Sequence, residues 1–345
     1  MSGVQQVTIG SDEAEQRLDR WFRKRWPHVS QGRIEKMCRR GEIRVDGARA
    51  KASTRVVPGQ TIRVPPLPDG SGPREEPTAP EIDQRDAELI KDAVLFRDDH
   101  LLVINKPPGL AVQGGSGQKR HLGTMLPVLR FDRPDDPRLV HRLDRDTSGL
   151  LVLARTGAAA TALGHLFRTR DVEKVYVAAV AGRPEPWAGA IRFGLTKAGP
   201  RGAEKMELVH PDDLAKTEGA KSAITEYCVL DQAASRMAAV ALRPVTGRTH
   251  QLRAHMAALG TPIAGDGKYG RRTQENLGEG WGAGLGGALS RKLHLHAVQL
   301  RFQHPMLKKK ALEFHAPLPE HMARTWETMG WQTSSLQHDL FAGLG

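Results

Sequence analysis

Residues 139–154, LVHRLDRDTSGLLVLA, place a cluster of charged side chains directly before an apolar run. The cluster consists of Arg142, Asp144, Arg145 and Asp146. The run that follows, GLLVLA, is short and continuous, which favours a buried strand. Ser, Gly or Asn would suffice if only a loop were needed there. A carboxylate flanked by arginines is ionised near neutral pH, so the pattern indicates that Asp144 acts as a nucleophile or a base.

Further apolar runs after residue 90 predict a sheet around this strand. They read HLLVINKP, KVYVAAVAG, AITEYCVL, MAAVALRPV and HLHAVQLRF. Helices are expected at AAATALGHLFRTRD and at THQLRAHMAALG, the second capped by Thr249 and ended by Gly260. Several runs are separated by loops too short for a crossover helix. The predicted fold class is therefore α+β, with a mixed and largely antiparallel sheet.

A segment rich in Pro, Gly and acidic residues, PPLPDGSGPREEPTAPEIDQRD, divides the chain. Its lack of apolar periodicity predicts a linker. We expect an N-terminal domain over residues 1–66, a linker over 67–90, a catalytic domain over 91–332 and a C-terminal tail over 333–345.

The N-terminal domain is predicted to be a small α/β unit with a basic face. Leu18, Trp21 and Phe22 have helical spacing, and a second helix, QGRIEKMCRR, is expected between Ser30 as its cap and Gly41 as its end. Short strands follow, with a turn at the sequence DG. The basic and the apolar side chains of the second helix are predicted to lie on different faces. The basic residues predicted to bind RNA are Arg33, Lys36, Arg39 and Arg40.

Composition limits the partners and the compartment. The 345 residues carry a formal net charge of +12 and are 39% hydrophobic, which suits a soluble protein that binds a polyanion, with nucleic acid as the first candidate. No run is long enough to span a bilayer, and the start of the sequence lacks the pattern of a signal peptide, so we expect a cytoplasmic protein without membrane contact. Cys38 and Cys228 fall in different predicted domains, which argues against a disulfide and a Cys-based zinc site.

Several motifs fail the tests for other chemistries. GGSGQK and GDGKYG do not match a phosphate-binding glycine loop, and Leu143 interrupts the H-R-D order of a kinase catalytic loop. His294 and His296 alternate along a predicted strand without a convincing third ligand, so no metal is expected. The histidines are interpreted as surface and RNA-facing residues.

A second segment, RPVTGRTHQLRAHMAALGTPIAGDGKYG, supplies an ionic partner for Asp144. Arg248 and Arg253 lie near the amino end of its predicted helix, and an arginine fork can hold a carboxylate through two parallel bonds. A third element, EKVYVAAVAG, places Tyr176 on a strand, where its ring can stack on a base.

These elements, HRLDRDTSG, the Tyr176 strand and GRTHQLR, resemble in their order and residues the RluA-type RNA pseudouridine synthases. The likeness covers about residues 92–320 and includes AVLFRDDHLLVINKPPGLAVQGGSG, which is similar to the first motif of that family. The N-terminal helices and strands resemble an S4 RNA-binding domain. Together they indicate the RluC/RluD branch, with RluC nearer. Gln113 departs from the family, in which His is frequent, and the glycine-rich segment 276–290 is longer than usual.

The resemblance implies a role for each matched residue. Asp144 is the expected catalytic aspartate, and Arg142 is expected to enter the RNA stack in place of the target base. Tyr176 packs on the uracil and helps remove its C5 proton. Arg253 forms the ion pair with Asp144, and Leu252 lines the base pocket. Arg248 is a second choice for the ion pair and otherwise contacts the RNA backbone.

The expected activity is isomerisation of uridine to pseudouridine in 23S rRNA, or in a precursor of the large ribosomal subunit, by a monomer without a cofactor or bound nucleotide. A non-catalytic RNA-binding ribosome-assembly factor is the alternative. A phosphoryl-transfer enzyme that requires Mg²⁺ is a more distant one.

Overall fold

A computed structural model of the protein describes residues 3–10, 13, 16–67, 82–114, 120–199, 205–234, 236–270 and 289–341. The chain divides into two compact units, residues 1–81 and residues 82–345. Residues 68–81 of the predicted linker and residues 276–288 of the glycine-rich segment lie outside the described residues.

The described residues of the N-terminal unit form two helices and two small antiparallel sheets, in the strand orders β1-β6-β3-β4 and β2-β5. Its elements are β1 (Gln5–Thr8), β2 (Gln16–Arg17), α1 (Leu18–Arg25), α2 (Gln31–Arg40), β3 (Arg44–Val45), β4 (Ala48–Arg49), β5 (Arg55–Val56) and β6 (Thr61–Val64). Leu18, Trp21 and Phe22 of α1 are buried in its core, as their spacing predicts.

The predicted limits of α2 are confirmed. The Ser30 hydroxyl accepts a hydrogen bond from the amide of Arg33 at the start of the helix, and Gly41 ends it in the left-handed conformation at φ 69°. Ile34 and Met37 are buried, and the four basic side chains named above are all exposed. The turn between β3 and β4 is formed by Asp46 and Gly47, both at positive φ, as the sequence DG predicts.

The C-terminal unit is built on one large sheet, in the order β13-β12-β14-β15-β11-β16-β10-β8-β7, with β17 beside β16 and β9 beside β10. Its elements are α3 (Gln84–Asp92), β7 (Val94–Arg97), β8 (Leu101–Lys106), α4 (Leu122–Met125), β9 (Arg138–Leu139), β10 (Ser148–Ala154), α5 (Gly157–Thr169), β11 (Glu173–Ala181), β12 (Ala188–Ala198), β13 (Lys205–Val209), β14 (Lys221–Ala233), β15 (Met237–Pro244), α6 (Gln251–Ala258), β16 (Leu295–Gln303), β17 (Ala311–His315) and α7 (Glu320–Met329).

The predicted fold class is confirmed by the pairing of these strands. Among the strands that the structure describes, only β10 and β16 pair in parallel, and the other pairs of the large sheet are antiparallel. Within the described ranges, no helix is both long and apolar enough to cross a membrane.

Strand β10 lies inside the sheet and carries the charged loop at its amino end. All seven of its residues are buried, which explains why GLLVLA has no polar alternation. It pairs with β8 along most of its length and with β16 at Ser148 and Gly149. Asp144 therefore precedes a strand that is held on both sides.

Gly149 permits the close approach of β10 and β16. It has φ 110°, and a Cβ there would lie 2.3 Å from the carbonyl oxygen of Ala297 and 2.6 Å from its nitrogen. Gly149→Ala is expected to lower the free energy of unfolding by about 2–4 kcal/mol through backbone strain and overpacking.

Urea unfolding measures this effect, with Gly164→Ala on α5 as the control. A Cβ at Gly164 meets nothing nearer than a guanidinium nitrogen of Arg168 at 3.9 Å, so that variant is expected to be neutral or slightly stabilised. Equal stability of the two variants would contradict the packing described here.

The structure differs from the predicted boundaries at two places. Helix α3 begins within residues 67–90, capped by Asp83, and its Ile90 is fully buried in the core of the C-terminal unit. Leu336 and Phe341, within the predicted tail, are buried in a second core cluster of the same unit. In both segments, therefore, apolar side chains pack into the core of the C-terminal unit.

Candidate active site

The loop that carries Asp144 is tied down by a buried lysine. The Nζ of Lys106, the last residue of β8, donates to the carbonyl oxygens of Pro107 and Leu110 at 2.9 Å and of Arg145 at 3.1 Å. These three bonds use all three ammonium donors. Burial lowers the pKa of Lys106 to about 7, although the negative charges of Asp146 and Asp144 act to raise it. The backbone next to Asp144 is thus fixed from the neighbouring strand.

Arg253 on α6 lies close to Asp144. Its guanidinium is held in place by a second carboxylate, that of Asp266. Its Nη1 lies 4.0 Å from Oδ2 of Asp144, whose side chain is 19% exposed. Its Nε and Nη2 each donate to Asp266 at 2.7 Å, in a bidentate pair that is almost fully buried. Burial alone would raise the pKa of Asp266, but Arg253 and the amides of Lys268 and Tyr269 outweigh it and leave the pKa lowered.

The start of α6 differs from the prediction. Thr249 does not cap the helix: the cap position is His250, at φ 51°, and its side chain makes no capping bond. The Oε1 of Gln251 instead accepts from the amide of Arg248 at 3.1 Å and from the Thr246 hydroxyl at 2.6 Å. This turn places the imidazole of His250 on the side of Asp144, with Nε2 at 3.9 Å from Oδ2.

Two cavities meet at Asp144. We call the first the tyrosine cavity; it has a volume of about 470 Å³ and is lined by Tyr176, Leu252, Lys174, Arg168, Arg170 and Arg248, among others. We call the second the lysine cavity; its lining includes Gln113, Lys205, Lys268, Arg291 and Lys292. Arg142, Asp144, His250 and Arg253 line both. The first cavity has the size of a small-molecule pocket, about 300–1,000 Å³, and both are rich in cations suited to phosphates.

Tyr176 lies at an irregularity in the pairing of β11 with β16, where the register shifts after Val175. Its ring is half-buried in the wall of the tyrosine cavity. Burial, and then the charge of Asp144, raise the pKa of Tyr176, so the phenol is neutral at physiological pH. Tyr176 therefore offers the cavity a flat ring and a protonated hydroxyl.

The structure brings all the residues named in the sequence for substrate binding to the tyrosine cavity. Leu252 is 7% exposed at its wall, and Arg142 is exposed at the rim shared by both cavities. Arg248 does not face the carboxylate: its Nε donates to the carbonyl of Ser222 at 3.1 Å. Arg33, Lys36, Arg39 and Arg40 belong to the N-terminal unit.

Four residues of this site were not singled out from the sequence. They are Lys106, His250, Asp266 and Tyr269. Asp266 was detectable in principle, because Arg253 shares its helix with core-facing Leu252 and Met256 and a buried guanidinium needs a counter-charge. Nothing in the local sequence indicated that His250 points toward Asp144.

The interpretation of the histidines as surface residues is wrong for several of them. His294 and His296 are fully buried and bond the hydroxyls of Thr325 and Ser148, both at 2.9 Å. His255 is also fully buried and contacts Thr225. Among the described residues, no cluster of three or more His, Cys, Asp or Glu side chains is arranged to hold a metal ion. Cys38 and Cys228 are both buried and free.

Asp144, beside a buried arginine and between two cationic cavities, forms the kind of site expected of an enzyme that acts on a phosphate-bearing substrate such as a nucleic acid. The family model for RNA pseudouridylate synthase matches residues 100–258. The chain is also 34% identical over 328 residues to the ribosomal large subunit pseudouridine synthase C of Vibrio cholerae, covering 94% of this chain and 97% of that protein. The chain therefore belongs to the RNA pseudouridylate synthase family and is an RNA pseudouridine synthase, an isomerase.

Other relatives agree with this assignment. The protein of the same name from Escherichia coli K12 is 34% identical over 325 residues, covering 93% of this chain and 95% of that protein. The solved structure of human RNA pseudouridylate synthase domain containing 4 is 32% identical, with a TM-score of 0.58 over 71% of this chain and 95% of that one. The resemblance to the RluC side of the RluA-type enzymes, predicted from the motifs, is confirmed.

Proposed function

We propose that this protein converts uridine to pseudouridine in 23S rRNA of the large ribosomal subunit, with Asp144 as its catalytic residue. The relatives named for the large ribosomal subunit align along almost their whole length, which supports this RNA as the substrate. The observation that carries the role of Asp144 is its place at the meeting of the two cavities, 4.0 Å from Arg253.

The reaction needs a group that acts at the glycosidic bond. The N1–C1′ bond of uridine breaks, the uracil turns, and a C5–C1′ bond forms; C5 loses a proton and N1 gains one. Atoms and electrons balance without an oxidant, so the proposal includes no nucleotide and no redox cofactor. An ionised carboxylate can attack C1′, attack C6 or deprotonate the ribose, and each of the three routes uses a negative oxygen of Asp144.

The target base must leave its stack to reach this carboxylate, at a cost of a few kcal/mol that contacts elsewhere offset. In the proposal Arg142, exposed at the shared rim, fills the space the base has left. Tyr176 and Leu252 hold the uracil. Because its phenol is neutral, Tyr176 assists removal of the C5 proton as a relay, which takes up that proton as it passes on its own, and not as a phenolate base. Arg253 orients Asp144, and Arg248 contacts the RNA backbone.

The N-terminal unit is proposed to be an S4-like RNA-binding domain of a monomeric, cytoplasmic enzyme. Its helix α2 buries Ile34 and Met37 and exposes its basic side chains, which suits contact with phosphates rather than with protein core. This contact would supply affinity that does not depend on the catalytic cavity.

Replacing Arg33, Lys36, Arg39 and Arg40 together by Gln is expected to weaken RNA binding and to reduce the slope of log affinity against log salt by about 2–4, as counterion release predicts. A salt titration of rRNA binding measures it. The control is Lys308→Gln with Lys310→Gln, two exposed lysines of the C-terminal unit. An unchanged slope in the α2 variant, or an equal loss in the control, would contradict the RNA-binding role of α2.

Mapping pseudouridines across 23S rRNA from cells with and without this protein tests the proposed function most directly. We expect one or more sites to revert to uridine when the protein is absent and to return with the wild-type chain but not with Asp144→Asn. An unchanged map would favour the non-catalytic ribosome-assembly role.

A further inference from the structure

A chain of polar contacts leads from the edge of the large sheet to the carboxylate of Asp144. The amide of Met206 on β13 donates to the hydroxyl oxygen of Tyr269 at 2.8 Å, and that oxygen lies 3.0 Å from Nδ1 of His250. The Nε2 on the other side of the same ring lies 3.9 Å from Oδ2 of Asp144. Tyr269 is 8% exposed, so its hydroxyl is not freely solvated.

These contacts favour one position for the proton of His250. Burial raises the pKa of Tyr269, so the phenol keeps its hydrogen. Its oxygen accepts from Met206, and among the described residues Nδ1 of His250 is the acceptor within reach of its hydrogen. When Nδ1 accepts this bond, the hydrogen of a neutral imidazole resides on Nε2, which faces Asp144.

The charges around His250 favour this neutral form. Burial lowers its pKa most, Asp144 and Asp266 oppose that shift, and Arg253 and Lys268 add to it. The net pKa is lowered, so at pH 7 the ring offers a single N–H.

Arg253 and His250 approach the same oxygen of Asp144. Nη1 of Arg253 and Nε2 of His250 lie 4.0 and 3.9 Å from Oδ2. Both distances exceed those of hydrogen bonds, as is frequent in an unliganded site whose contacts shorten when substrate binds. His250 also holds a left-handed backbone conformation at φ 51°, which non-glycine residues seldom adopt.

From this geometry we infer that His250 is a positioning residue: its Nε2–H, fixed by Tyr269, joins Arg253 in holding Oδ2 of Asp144, so that Oδ1 is the oxygen presented to the uridine. The inference rests on the proposed function, because it concerns how that carboxylate is aimed. His250 itself acts through Asp144 and is not assigned a contact with the reacting atoms.

Three variants test this role in the full-length protein: His250→Ala, His250→Gln and Tyr269→Phe. The amide nitrogen of Gln can occupy the place of Nε2 and donate in the same direction, whereas Ala cannot. With rRNA transcripts tritiated at uridine C5, kcat is expected to fall about 10–100-fold in His250→Ala, with KM changed little, and to be largely restored in His250→Gln. Tyr269→Phe is expected to lie between them.

The proton position is checked without RNA by long-range ¹⁵N–¹H spectra of histidine-labelled protein, in which the His250 signals are those lost in His250→Gln. We expect the Nε2–H form in the wild type and a shift toward Nδ1–H in Tyr269→Phe. An Nδ1–H form in the wild type, a wild-type kcat in His250→Ala, or equal losses in the Ala and Gln variants would each overturn the inference.

These outcomes are separable from failure of the proposed function. Full turnover by Asp144→Asn would refute the assignment of the catalytic carboxylate and the inference with it. An inactive Asp144→Asn beside a fully active His250→Ala would refute the inference alone.

Discussion

Asp144→Asn is expected to reduce release of tritium from C5-labelled uridine in rRNA at least about 10³-fold, while the protein stays folded and binds RNA as before. The amide nearly matches the carboxylate in shape, so the loop held by Lys106 and the surrounding cavities should persist. What is lost is the negative oxygen that acts as nucleophile or base. Single-turnover assays and a parallel binding titration separate the two effects.

The matched control is Asp146→Asn, two residues along the same loop. Both carboxylate oxygens of Asp146 bond the exposed Arg145, at 3.0 and 3.3 Å. Such a surface pair contributes about 0–1 kcal/mol, so turnover is expected to change by no more than about fivefold. Substantial turnover by Asp144→Asn, or a greater loss in Asp146→Asn, would refute the assignment.

Asp266→Asn is expected to lower the free energy of unfolding by about 3–5 kcal/mol and to abolish most activity. Arg253 is 6% exposed, and without Asp266 its guanidinium remains buried beside a neutral amide. The freed guanidinium would also no longer be held at its present distance from Asp144. Chemical denaturation measures the stability, and the tritium-release assay measures the activity.

A second substitution separates charge from packing at this pair. Adding Arg253→Met to Asp266→Asn removes both buried charges, and replacing a buried pair with apolar groups is often neutral or stabilising. We expect the double variant to regain most of the stability lost in Asp266→Asn and to remain inactive. Recovery of activity in the double variant would mean that Arg253 is not needed to orient Asp144.

The large sheet was predictable where its strands are continuous apolar runs. β8, β10, β11 and β15 have almost no polar interruption because both faces of the sheet are covered there, and each was predicted from its sequence. β12 and β13 were missed: their burial is partial, and their polar side chains and glycines resemble a loop. β12 pairs with β14, and β13 pairs with β12, and no local sequence pattern shows either pairing.

The site was predictable to the extent that its chemistry lies in short motifs. Asp144, Arg253 and Tyr176 were named from residue type and order, and the structure brings them to one cavity. Asp266, Tyr269 and His250 were missed because their importance comes from contacts across the fold. Thr249 was chosen as a cap on propensity alone, whereas the structure holds the turn before α6 through the side chain of Gln251, which accepts from the backbone amide of Arg248 and donates to the carbonyl of Ile224 on β14.

The buried pairing of Arg253 with Asp266 gives the enzyme two responses to ionic strength. Charges on exposed side chains are screened within about 10 Å at 0.1 M salt, whereas a pair shut away from water is screened far less. Capture of the RNA by surface cations should therefore weaken steeply as salt rises, while isomerisation of a uridine already seated should proceed at nearly the same rate. A cell could then regulate how often this enzyme meets its RNA without altering the speed of the chemistry.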